Sequence, residues 1–225
     1  RCARGRRWGC EVARMGVSPG VRVQNVHRVY TLNMTSRETP DPTAAHVLAE
    51  ALSQFARLKA LAESAMKQVD DAAFFAEPAP EVNSIAQVVK HMAGNARSRW
   101  TDFLTTDGEK PDRHRDTEFE LDPASTRDAL MAAWDAGWQA LDRALKPLGP
   151  EDLMRTVTIR GEGHTVLQAI DRQLTHYGYH VGQIVLLARI AKGQAWSSLS
   201  VPRGQSEQFN AQMRDRHQTR SPRDP

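Results

Sequence analysis

Three observations predict an all-α protein built as a four-helix bundle. Four segments between residues 41 and 193 repeat apolar residues every three or four positions, the period of an amphipathic helix. Each is bounded by a capping residue, a proline or a glycine. The chain has 225 residues, 40% of them hydrophobic and 25% charged, which suits one globular domain rather than a disordered or fibrous chain. A helix with a single apolar stripe is unstable alone, and four of them bury their stripes most economically against one another.

The first helix starts at Asp41-Pro42, an N-cap followed by proline in the first helical position. Its stripe is Leu48, Leu52, Phe55, Leu58, Ala62, Ala65 and Val69, and it stops before EPAPEVN. The second opens at Ser84, with Gln87 completing a capping box. Ile85, Val89, Met92, Ala96, Trp100 and Phe103 share one face, and the pattern ends at Thr105–Gly108. Residues 108–120 are too charged for a core and read as a long connection.

The third helix spans Ser125 to Lys146, with Leu130, Trp134, Trp138, Leu141 and Leu145 inward, and Pro147 and Gly149-Pro150 end it. The stretch RTVTIRGEGHT then alternates β-branched residues around a glycine, which predicts a short β-hairpin. Thr165 and Gln168 form another capping box for a fourth helix, which Gly193 closes after Ala191.

Charge is unevenly placed. Residues 1–33 hold seven arginines against Glu11, and the tail from Arg203 holds five against three acids. The whole chain is +3, so residues 34–202 are left at −5. A nucleic-acid footprint belongs on the folded domain, so nucleic-acid binding is not expected. No stretch approaches the ~18 apolar residues of a membrane span. Both cysteines, Cys2 and Cys10, precede the folded part, which leaves no disulfide framework or thiolate metal site there. A cytoplasmic protein is the expectation. Residues 1–33 lack periodicity and read as a disordered or spurious extension before a start at Met34. The bundle is expected over 34–210, with a disordered tail over 211–225.

The chemistry sits in LTHYGYHVGQI, residues 174–184. His176 and His180 are four apart, hence only about 40° apart around a helix, on the flank of the apolar stripe. His91 holds the matching place on the second helix. All three point toward a seam between helices, where bundle metal sites are built. Three neutral imidazoles suit Zn, Ni or Fe and leave coordination positions open. The same spacing also fits two surface histidines. Residues 177–179 are Tyr, Gly and Tyr, so the glutamate that serves as general base in H-E-x-x-H is missing and a metallopeptidase is excluded.

Asn95 lies one turn beyond His91 and Arg99 one turn further, facing the metal end as candidate substrate-binding residues. Arg99 could hold a substrate carboxylate in a fork, or pair with Asp102. Tyr179 and Gln183 flank His180, and Gln183 suits a hydrogen bond to a ligand ring. Trp100, Trp134 and Trp138 read as core.

Three stretches carry a likeness to a known group: VVKHMAGNARSRWTDFLTTDGEKPDR (88–113), RQLTHYGYHVGQIVLLAR (172–189) and LSVPRGQSEQFN (199–210). With them, the chain from Met34 to Asn210 resembles the DinB/YfiT-like superfamily of four-helix metalloproteins, closest to an uncharacterised, domain-of-unknown-function branch. The resemblance implies an up-up-down-down bundle, a homodimer, and a metal triad of His91, His176 and His180. Relatives include S-transferases using low-molecular-weight thiols such as bacillithiol or mycothiol, and a mycothiol-dependent isomerase. The expectation is a metal-dependent thiol S-transferase or hydrolase acting on small molecules. The alternative is a non-catalytic dimeric metal-binding or stress-related binding protein.

Overall fold

The structure, a computed structural model, describes residues 41–218. The expected extension over 1–33 and the end of the chain beyond 218 lie outside the described residues. Four long helices form the body: α1 (Pro42–Met66), α3 (Ile85–Trp100), α4 (Arg127–Leu145) and α5 (Val166–Lys192). Two short helices, α2 (Asp71–Phe75) and α6 (Ser206–Gln218), and one hairpin, β1 (Thr156–Ile159) with β2 (Glu162–Thr165), complete it. The main packing pairs are α3 with α4, α4 with α1, α1 with α5, and α5 with α3. That ring is a four-helix bundle, and helices consecutive along the chain, α1 and α3 or α4 and α5, stand on its diagonals. No helix among the described residues is long and apolar enough to cross a membrane.

The caps act as the sequence predicts. The side chains of Asp41, Ser84 and Thr165 accept hydrogen bonds from Thr43, Gln87 and Gln168 backbone amides. Phe55, Trp100 and Tyr177 meet in the core, Phe55 edge-on to both others, and Trp138 links Tyr177 to the buried Trp134. The Trp100 indole N–H donates to the Tyr177 hydroxyl at 3.2 Å, so neither buried polar atom is orphaned.

Two helix ends fall earlier than the stripes suggest. The first helix stops at Met66, because the Arg127 guanidinium takes the Met66 and Val69 carbonyls and ends the ladder there. Asp70 then caps α2, whose Phe74 is fully buried beneath Arg127. The second ends at Trp100, and Phe103 reaches the core from a turn instead. Toward the C-terminus, α6 spans Ser206–Gln218, across the 210/211 boundary drawn between bundle and tail.

The hairpin pairs Thr156 with Thr165 and Ile159 with Glu162. Arg160 and Gly161 turn it with φ of 56° and 76°, the left-handed pair a two-residue turn requires. The Asp107 carboxylate accepts both of their backbone N–H groups, and Gly108 N–H donates to the Thr158 carbonyl. The long connection after α3 is thereby sewn to the hairpin, close to the seam between α3 and α5.

Candidate metal centre

The seam is made by two stripes at helical spacing. On α3 they are His91, Asn95 and Arg99; on α5, Gln173, His176, His180 and Gln183. One ligating atom from each of His91, His176 and His180 lies within 4.8 Å of the others, close enough to hold a metal ion. The three do so through Nε2: His176 is 3.1 Å from His180 and 3.4 Å from His91. Nitrogens at ~2.0 Å from a tetrahedral zinc stand about 3.3 Å apart, so the spacing fits such an ion. His91 and His180 are buried and His176 is half-buried.

Each Nδ1 is held from behind, which is what turns an imidazole into an oriented ligand. His91 Nδ1 donates to Glu118 Oε2 at 2.8 Å, and His180 Nδ1 to Gln183 Oε1 at 2.7 Å. Their Nε2 lone pairs are therefore free. His176 Nδ1 lies 3.0 Å from the Gln173 amide, which donates to Asn95 Oδ1 at 2.6 Å. That amide serves either tautomer of His176. Its NH₂ donates to an unprotonated Nδ1, or its oxygen, turned over together with the Asn95 amide, accepts from Nδ1–H and leaves Nε2 free for a metal.

Burial, with the neighbouring His180, His91 and arginine charges, pushes the His176 pKa down to about 3. Burial likewise brings His180 down to about 4, against the opposing hydrogen bond from Gln183. Both rings are neutral near pH 7 and keep their lone pairs.

Glu118 is the residue that sequence reasoning missed. It comes from the connection read as too charged for core, yet it is 7% exposed. Burial alone would raise its pKa, but the Arg113 guanidinium and the His91 hydrogen bond outweigh that and hold it below the usual carboxylate range. Arg113 grips it as a fork, Nε to Oε1 and Nη2 to Oε2, both at 2.8 Å. Helix α3 secures the same segment through Gln87 to the Phe119 carbonyl and Lys90 to the Thr117 and Glu120 carbonyls. Phe119 stacks on the His91 ring at 4.6 Å.

One signal for this packing was present in the sequence. Gly94 sits inside α3, one turn after His91, where glycine weakens a helix. A Cβ there would lie 2.3 Å from Glu118 Oε1. Glycine at 94 lets the carboxylate approach the helix.

The histidines open onto a cavity of about 660 Å³. Asn95 and Arg99 line it, as do Arg113, Arg160, Arg172 and Tyr179, and no aspartate or glutamate among the described residues does. Asn95 is engaged with Gln173 and so helps set the His176 ring. The Arg99–Asp102 pair considered above does not form; Arg99 Nε and Nη1 are buried without any hydrogen-bond partner. Tyr179 packs edge-on to His180 but is largely exposed, while Trp100, Trp134 and Trp138 are core.

Fold and site together define a helical-bundle protein with a three-histidine centre facing an arginine-lined cavity. Residues 42–205 match the profile of DUF1572, described as a protein of unknown function, and the chain belongs to that family. No curated protein and no solved structure matches it.

Proposed function

We propose that this protein is a metal-dependent enzyme of the DinB-like superfamily, a thiol-dependent S-transferase or hydrolase acting on small molecules. The observation that carries the reading is the convergence of three Nε2 atoms, each ring hydrogen-bonded from behind, at the wall of an open cavity. His91, His176 and His180 would hold the ion. A divalent zinc, nickel or iron supplies Lewis acidity there, which lets a thiol or a water act as a nucleophile near neutral pH.

The chain's own residues set the rest. Glu118, Gln173 and Gln183 orient the three rings, and Arg113 keeps Glu118 ionised. Among the described residues, the cavity wall offers no carboxylate to accept a proton from water. That favours transfer of a low-molecular-weight thiol, which ionises far more readily than water, over hydrolysis. Phe119 and the walls of the seam limit water at the His91 side.

Homodimerisation in the cytoplasm belongs to the same reading. Leu186 and Ile190 are 58% and 59% exposed on α5, and Tyr179 lies on the same helix at 63%. A second copy would cover such a face. The functional test is to load untagged protein with Zn²⁺, Ni²⁺ or Fe²⁺ and screen low-molecular-weight thiols against electrophiles. Thiol conjugation that disappears in the His176→Ala/His180→Ala variant supports transfer. A metal-loaded protein inactive toward every thiol and ester offered leaves the non-catalytic, dimeric metal-binding alternative in its place.

A further inference from the structure

Among the described residues, Arg99 is a buried cation in this cavity that the fold leaves without a partner at two of its nitrogens. It is 4% exposed, and its Nε and Nη1 are buried without a hydrogen-bond partner. Leaving a buried charge unpaired is costly, and folded proteins avoid it unless a ligand completes the pairing. The acids nearest to it are already engaged. Asp107 accepts the backbone N–H groups of Glu109, Arg160 and Gly161. Glu109 accepts from Arg113 at 2.8 Å and lies 3.4 Å from Arg160 Nε.

The surroundings add positive charge. Arg172 lies close enough that its charge, after burial, pulls the Arg99 pKa down, and Arg113 acts the same way. Arg160, Arg172 and Arg99 line the cavity together with His91, His176 and His180. Gly108 lets the guanidinium lie close against the chain: a Cβ at that residue would fall 2.7 Å from Arg99 Nη1. Gly108 is itself anchored, its carbonyl accepting from Ser98 Oγ and its N–H donating to Thr158. The guanidinium thus packs against anchored backbone, and its buried Nε and Nη1 have no hydrogen-bond partner among the described residues.

We infer that Arg99, with Arg172 and Arg160 beside it, forms a subsite for an anionic group, a carboxylate or a phosphate, on the small molecule whose reacting end sits at the histidines. This rests on the reading of the cavity as a small-molecule site and names the class of its ligand: an organic acid or phosphate ester. The guanidinium fork supplies two parallel donors to either oxyanion. An anion there pairs the buried guanidinium charge, so the binding energy of a non-reacting group is used to place the reacting one.

The test needs no metal and no turnover. Inorganic phosphate and succinate are titrated calorimetrically into the full chain, stripped of metal by a chelator that is then dialysed away, in Tris buffer of low ionic strength. At least one probe should bind, with affinity falling about tenfold or more in Arg99→Gln and several-fold in the exposed Arg172→Gln. Binding of phosphate alone identifies a tetrahedral anion, and of succinate alone a carboxylate. Arg99→Gln should melt no lower than the parent without anion, because it removes an unpaired buried charge rather than a structural contact.

The His176→Ala/His180→Ala variant should keep its anion affinity, so the subsite stands even if metal analysis fails. Absence of binding by both probes, or binding untouched by Arg99→Gln, overturns the proposal. So does binding lost in the histidine variant and retained in Arg99→Gln, which would put the anion on the imidazoles.

Discussion

Glu118 Oε2 accepts a hydrogen bond from His91 Nδ1 at 2.8 Å, across 27 residues of chain. This contact joins the charged connection to the histidine cluster. It fixes the His91 tautomer so that Nε2 faces His176, and Arg113 keeps the carboxylate ionised. Glu118→Gln keeps the shape but weakens both ends of that chain. Metal affinity, measured by competition with a chromophoric chelator, should fall about 10- to 100-fold. Unchanged affinity would mean that the cluster holds its ion without help from the connection.

Glycine positions give two opposite predictions for one substitution. Gly94→Ala puts a methyl 2.3 Å from Glu118 Oε1, so the carboxylate must move. Stability should drop by about 1–3 kcal/mol, with metal affinity falling alongside. Gly182→Ala on α5 meets nothing within 4 Å, and the helix should gain about 0.5–1 kcal/mol. Chemical denaturation of both variants reads the contrast directly.

Tyr177 ties packing to chemistry, since its hydroxyl meets both the Trp100 indole and the Gln173 side chain. Tyr177→Phe orphans the buried Trp100 indole N–H and should lower stability by about 1–2 kcal/mol. The same hydroxyl contacts the Gln173 side chain that holds His176, so metal affinity should fall alongside. Unchanged metal affinity would show that Gln173 holds the His176 ring without help from the core.

The exposed apolar residues of α5 predict self-association. Ile190→Glu places a charge on the face that a second copy would cover, and sedimentation should then report a monomer where the parent is a dimer. A parent that sediments as a monomer contradicts the dimer reading.

Local patterning carried the bundle and most of the seam. The stripes of α1, α3, α4 and α5 and the caps at Asp41, Ser84 and Thr165 depend on spacing within one segment, and so does the facing of His176 and His180. His91 was reachable because the bundle topology sets its stripe opposite theirs. Glu118 and Arg113 were not, since they pair through a connection whose path no periodicity encodes. Their charge argued against burial, and it is their mutual fork, with His91 on Glu118 and Glu109 on Arg113, that makes burial tolerable. The same limit hid the end of α1, where Arg127 arrives from a distant helix start to take the final carbonyls.

Metal content bears most directly on the central claim. Protein purified without a histidine tag and without added chelator should carry about one zinc, nickel or iron ion per chain by elemental analysis, and His176→Ala/His180→Ala should carry essentially none while remaining folded. A parent free of metal, whose melting temperature does not rise on adding Zn²⁺, Ni²⁺ or Fe²⁺, would contradict the metal centre.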